Sequence, residues 1–333
     1  VADAVKVLSI DGGGIRGIIP ALVLAELEKR LEAPIASAFD LIAGTSTGGI
    51  IALGLAKPGT DGKPEHSAAD LAELYRSEGH RIFSRSVLHR VRAVGNALEE
   101  KFPASGVEGV LKQYLGETRL KDALTEVLVP AYEMEDRIPW FFSSRDAATK
   151  AHHDFPMWEV GRATSAAPTY FEPARIPSED PDNKRGYWAL VDGGVFANNP
   201  AMCALTEATS NYRADHGGEA PDVIVVSLGT GELTRTIHYD DAKGWGLLGW
   251  ARPVLSTVLD GVSKTVDFQV RELCKVTEGQ PERYYRLQVN LAAYGSDEMD
   301  DATGTNLLAL EQHAKNLIEA ETAKLDQICA VLA

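Results

Sequence analysis

The 333-residue sequence predicts an α/β fold built on a central, mostly parallel sheet. Three observations carry that expectation. Short apolar runs recur at 5–10 (VKVLSI), 39–43 (FDLIA) and 222–228 (DVIVVSL), as strands buried on both faces do. Each run ends in a glycine-rich turn. The first two turns lead directly into apolar segments long enough for crossover helices.

Taken in order, the first strand runs into Asp11-Gly12-Gly13-Gly14-Ile15-Arg16-Gly17. The following IIPALVLAELEKRLE reads as a helix, with Leu22, Leu24, Leu27 and Leu31 near helical spacing and Pro20 tolerable in the first turn. Gly12, Gly14 and Gly17 also have the spacing of a dinucleotide fingerprint, which needs an acid near the end of the second strand. The acid there, Asp40, sits at the strand's start. The other reading is an oxyanion hole, because consecutive glycines at a helix N-terminus expose backbone N–H groups where the helix dipole favours negative charge.

The second strand ends in Gly44-Thr45-Ser46-Thr47-Gly48, the pattern of a nucleophile elbow. There a serine occupies a strained strand-to-helix turn, and glycines at 44 and 48 avoid clashes with the strand and helix. A plain glycine-rich turn fits the same five residues. GIIALGLA then begins a buried helix, and PGTDGKP (58–64) is a surface loop.

Residues 68–82 and 86–116 look helical, the second with His89, Arg90 and Arg92 on a solvated face near its start. Strands follow at 124–133 and 138–142, where Trp140, Phe141 and Phe142 read as core. A helix of small residues at 158–173 stops near Pro168 and suits close packing beneath a site. The strand 187–191 enters Asp192-Gly193-Gly194; a parallel strand would place this acid on the same sheet edge as Ser46. An Asp-Gly turn without chemistry is the competing reading.

Asn198-Asn199-Pro200 starts a helix at 201–213. The turn ending 222–231 lacks the Lys-Ser/Thr of a phosphate loop and reads as structural support. Residues 245–273 look helical with a break at Pro253, and GWGLLGW gathers Trp245, Leu247, Leu248 and Trp250 for packing or for membrane docking. A last strand is expected at 284–291 and a closing amphipathic helix at 305–332.

Composition narrows the chemistry. The chain is 44% apolar and 24% charged, as globular domains are, and its net charge of −15 disfavours nucleic acid and simple adhesion to anionic bilayers. Cys203, Cys274 and Cys329 have neither disulfide-framework nor metal-ligand spacing and favour a reducing compartment. The opening VADAVKVLSI shows no secretory signal, and no apolar run approaches membrane-spanning length. A cytoplasmic location, peripheral to membranes at most, is expected.

DGGGIRG, GTSTGG and DGG, each at a strand end and in that order, resemble the patatin-like phospholipases, lipid acyl hydrolases with a Ser-Asp dyad. The likeness covers Val7 to about Leu205 and continues more weakly through SLGTG to the VDFQV region. It points to a bacterial member. It implies a three-layer α/β/α fold, with core 7–205 and the remainder 206–333 completing the sheet of a single catalytic domain.

It also implies Ser46 as nucleophile, Asp192 as general base, and Gly12, Gly13, Gly14 and Arg16 as oxyanion donors. Gly44 and Gly48 would form the elbow, and Gly193 and Gly194 the acid loop. The dyad needs no metal or cofactor. Expected partners are phospholipid or other acyl-ester substrates, a transient membrane surface and, in a ligand-gated variant such as the cyclic-nucleotide-activated effectors of this family, a small-molecule activator. A carboxylesterase or thioesterase for short soluble esters is the rival enzyme. The rival mechanism is a Ser-His-Asp triad drawing on His216, His238 or His313, all read as surface residues.

Overall fold

A computed structural model describes residues 4–83, 102–232, 236–250, 253–277, 279–293 and 295–333. Its strands are β1 (Val5–Ile10), β2 (Leu41–Gly44), β3 (Glu126–Glu133), β4 (Ile138–Ser143), β5 (Ala174–Pro177), β6 (Tyr187–Asp192), β7 (Val223–Leu228) and β8 (Tyr284–Leu287). Among the described residues they form one eight-stranded sheet, ordered β5-β6-β3-β2-β1-β7-β8 with β4 on β3. The pairs β3–β2, β2–β1, β1–β7 and β7–β8 are parallel, while β4, β5 and β6 make an antiparallel wing.

Side chains alternate across the strands, and both faces are covered by helices. On one face Leu8, Ile10, Ile42, Val129 and Val226 pack with α1 (Ile18–Leu31), α2 (Thr47–Ala56), α3 (Ala68–Ile82), α4 (Ala104–Leu115) and α5 (Met157–Thr164). On the other, Val7, Leu41, Ala43 and Val225 meet α6 (Ala201–Asp215) and α7 (Pro253–Leu273). The three-layer α/β/α arrangement follows directly. The chain closes with α8 (Gly304–Ala320) and α9 (Thr322–Leu332) on the α1 side.

Several boundaries differ from expectation. Of the helix predicted at 86–116, the described part is α4; His89, Arg90 and Arg92 lie outside the described residues. The helix predicted at 158–173 ends at Thr164, and the strand predicted at 284–291 ends at Leu287. Pro253 opens α7 and does not interrupt it, as its fixed φ and missing N–H suit a first turn. The closing helix is two helices that meet at Glu321.

The most consequential difference is the direction of β6. It runs antiparallel to β3, pairing Glu133 with Leu190 and Ala131 with Asp192. β2 pairs with the first half of β3, Leu41 with Glu126 and Ala43 with Leu128. β4 takes one edge of β3 from Leu128 to Glu133, so β2 and β6 share the other edge and face each other end to end. Ser46, three residues past Ala43, therefore reaches the level of Ala131, where Asp192 arrives from the opposite direction.

Candidate active site

Ser46 lies between β2 and α2 with φ 55° and ψ −121°. A non-glycine residue there stores roughly 1–3 kcal/mol of strain and is held by its surroundings. A Cβ at Gly44 would overlap the carbonyl of Gly48, and one at Gly48 would overlap that of Ile10. Thr45 anchors the turn, its N–H donating to Ile10 O (3.2 Å) and its hydroxyl to Ala197 O (2.6 Å). The N–H of Ser46 donates to Thr164 Oγ1 at 2.9 Å.

Asp192 is buried at the end of β6, its Oδ1 accepting the Gly194 N–H at 2.7 Å. Burial raises its pKa from the ordinary carboxylate value to about 7; the Gly194 N–H and the Ser46 hydroxyl pull the other way. Gly193 is required because a Cβ would overlap the Pro130 carbonyl.

The glycine loop after β1 divides its labour differently from the expectation. The Gly12 N–H is taken by Asn198 O (2.9 Å) and the Arg16 N–H by Gly13 O (3.3 Å). The Arg16 guanidinium is buried, donating to Gly13 O (3.3 Å) and Gly231 O (3.4 Å), and burial lowers its pKa to about 10. Gly12 and Arg16 thus brace the loop from behind. Among the described residues no acceptor meets the N–H groups of Gly13 and Gly14. Gly14 has φ 59° and lies against the carbonyl of Met299. The 222–231 turn supports this loop as read from sequence, with the Thr230 hydroxyl donating to Gly12 O at 2.7 Å.

Gly13, Gly14, Ser46, Asp192 and Gly194 line one pocket of about 890 Å³, counting the space at its mouth. Its remaining walls are mainly apolar, including Leu74, Phe83, Val110, Leu111, Phe171 and Leu259. None of His216, His238 and His313 lines it. His216 and His238 are exposed, whereas His313 is buried in α8, contrary to its reading as a surface residue. Among the described residues no group of three or more His, Cys, Asp or Glu could hold a metal ion.

A family model described as patatin-like phospholipase matches residues 8–205, from β1 to within α6. The chain belongs to the patatin-like phospholipase family.

Patatin-like protein 1 of Oryza sativa subsp. indica is 32% identical over 345 residues, covering 97% of this chain and 83% of that protein. A Solanum tuberosum relative named probable inactive patatin-3-Kuras 1 is 31% identical over 340 residues, covering 97% and 89%. VipD from Legionella pneumophila, a solved structure, aligns with a TM-score of 0.36 at 11% identity, over 93% of this chain and 67% of that one. Membership supports lipid acyl hydrolysis as the general activity. One relative carries the word inactive in its name, so membership of the patatin-like family does not by itself assign catalytic residues.

Three contributors to the site gave little sequence signal. Thr164 sits in a stretch read only as small and close-packed, and Asn198 was legible only as a helix start. Arg286 on β8 forms a buried two-pronged pair with Asp11 (2.9 and 2.6 Å) and also donates to Ser227 Oγ. A contact 275 residues apart leaves no local pattern. Among the described residues, no helix is long and apolar enough to cross a membrane.

Proposed function

We propose that this protein hydrolyses fatty-acyl ester lipids, as a phospholipase A or related esterase, through an acyl-enzyme on Ser46. Asp192 takes the Ser46 proton as Oγ attacks the ester carbonyl. The N–H groups of Gly13 and Gly14 receive the oxyanion, each such donor being worth about 2.7–4 kcal/mol in the transition state. Collapse breaks the ester bond, and the departing alkoxide takes the proton from Asp192. Water then attacks the acyl-enzyme, giving its proton to Asp192, and the second collapse returns that proton to Ser46 as the fatty acid leaves.

The observation that carries this reading is the shared pocket: it is lined by a strained serine, a carboxylate of raised pKa and two glycines whose N–H groups meet no acceptor among the described residues. A carboxylate near its ordinary pKa of about 3.9 is a weak base toward a hydroxyl, and burial supplies the missing basicity. The whole chain acts as one catalytic domain, since residues beyond 205 add β7 and β8 to the sheet and Leu255 and Leu259 to the pocket wall.

A fluorophosphonate probe is expected to label the protein at Ser46, and Ser46→Ala to abolish labelling. A mapped adduct on another serine would end the proposal. The apolar wall supports long acyl chains over short soluble esters. Val110→Phe, narrowing that wall, is expected to lower kcat/KM for long-chain p-nitrophenyl esters by about tenfold while sparing short ones. An equal loss at every chain length would place the acyl chain elsewhere.

A further inference from the structure

Between the facing ends of β2 and β6, the carbonyl of Pro130 in β3 accepts the hydroxyl of Thr164 at 2.7 Å. A carbonyl only accepts, so the single hydroxyl hydrogen of Thr164 is committed to Pro130 and its lone pairs are left for the Ser46 N–H at 2.9 Å. Thr164 is fully buried, the last residue of α5. Two residues later the carbonyl of Ala166 accepts the N–H of Asp192 at 3.0 Å. One short segment therefore grips the serine from one side and the aspartate from the other.

We propose that Thr164 is a positioning residue for acyl transfer, its hydroxyl holding Ser46 in the elbow conformation at the separation from Asp192 that the Ala166 carbonyl sets. The inference rests on the roles given above to Ser46 and Asp192. Valine has the shape of threonine but neither donor nor acceptor. It would leave the Ser46 N–H and the Pro130 carbonyl without this partner and release the hold on a strained backbone. Serine keeps both hydrogen bonds.

The test compares Thr164→Val and Thr164→Ser on a long-chain p-nitrophenyl ester across a pH series, with folding followed by circular dichroism. Thr164→Val is expected to lose about ten- to a hundredfold in kcat with KM within about threefold, as a misplaced reacting group does. Thr164→Ser is expected to stay near wild type. The acid limb of the rate profile should also move to higher pH in the valine variant. Burial, the Gly194 N–H and the Ser46 hydroxyl set the proton affinity of Asp192, with no charged side chain among the contributors, and only the hydroxyl is displaced.

Wild-type kcat with an unmoved limb in folded Thr164→Val would overturn the inference, as would a serine variant as damaged as the valine one. Should the valine variant not fold, the rates of fluorophosphonate labelling in Thr164→Ala and Thr164→Ser decide: faster labelling in the serine variant supports the role and equal rates refute it. Ser46→Ala and Asp192→Asn serve as controls. Activity surviving in either would sink the underlying dyad, whereas two dead controls beside an unaffected Thr164→Val would sink this inference alone.

Discussion

Asp192→Asn is expected to lower kcat on fatty-acyl esters by about a thousandfold, within the range of about 10²–10⁴ that a positioned general base contributes. The same substitution should stabilise the fold at alkaline pH. The folded carboxyl keeps its proton up to about pH 7, whereas in the unfolded chain it titrates at its ordinary value near 3.8. Between those values the unfolded state binds fewer protons, so rising pH costs stability, and the loss persists above pH 7. Asparagine has no proton to release and removes that cost, at most a few kcal/mol at about 1.4 kcal/mol per tenfold change in proton affinity. Its amide oxygen can still accept the Gly194 N–H.

Thermal melts at pH 5 and pH 8 should show the variant gaining more over wild type at the higher pH. In wild-type enzyme kcat/KM should fall as pH drops below about 7, because the protonated carboxyl cannot act as a base. His238→Ala, a change at an exposed position, should keep its activity. An active Asp192→Asn enzyme beside an inactive histidine variant would replace the dyad with a triad.

Gly14→Ala should lose about a hundred- to a thousandfold in kcat, the range seen when one oxyanion donor is removed. Two effects combine there. The backbone is at φ 59°, which side chains rarely adopt, and the new Cβ would overlap the Met299 carbonyl. The loop must shift, carrying the N–H groups of Gly13 and Gly14 off the developing charge. Gly62→Ala is the matched control: φ is 74°, yet nothing lies within 4 Å of the added Cβ and the position is on a surface loop. It should lose some stability and keep its kcat. Equal activity in the two variants would remove the glycine loop from the mechanism.

The three glycine-flanked corners were legible because each obeys a local rule. Ser46 needs a positive φ, Gly44 and Gly48 need bare backbones, and a buried strand must end before a helix begins; all of these are written within five residues. The parallel core was legible for a similar reason, since strands covered on both faces must be apolar throughout. The division of labour in the Gly12–Arg16 loop was not. Which of its backbone N–H groups find an acceptor among the described residues depends on carbonyls far along the chain, Asn198 O for Gly12 and Met299 O for Ile15.

The sequence by itself therefore determined the layered α/β class, the strained serine turn and the identity of the acid at the end of its strand. Only the tertiary structure decided that β6 runs against β3, so that Asp192 meets Ser46 head-on and not from a neighbouring parallel strand. Strand direction depends on how the chain between β3 and β6, through β4, α5 and β5, returns to the sheet, and no window of sequence records that path. The burial that lifts the Asp192 pKa, and the Thr164 bridge beneath Ser46, arise from the same long-range closure.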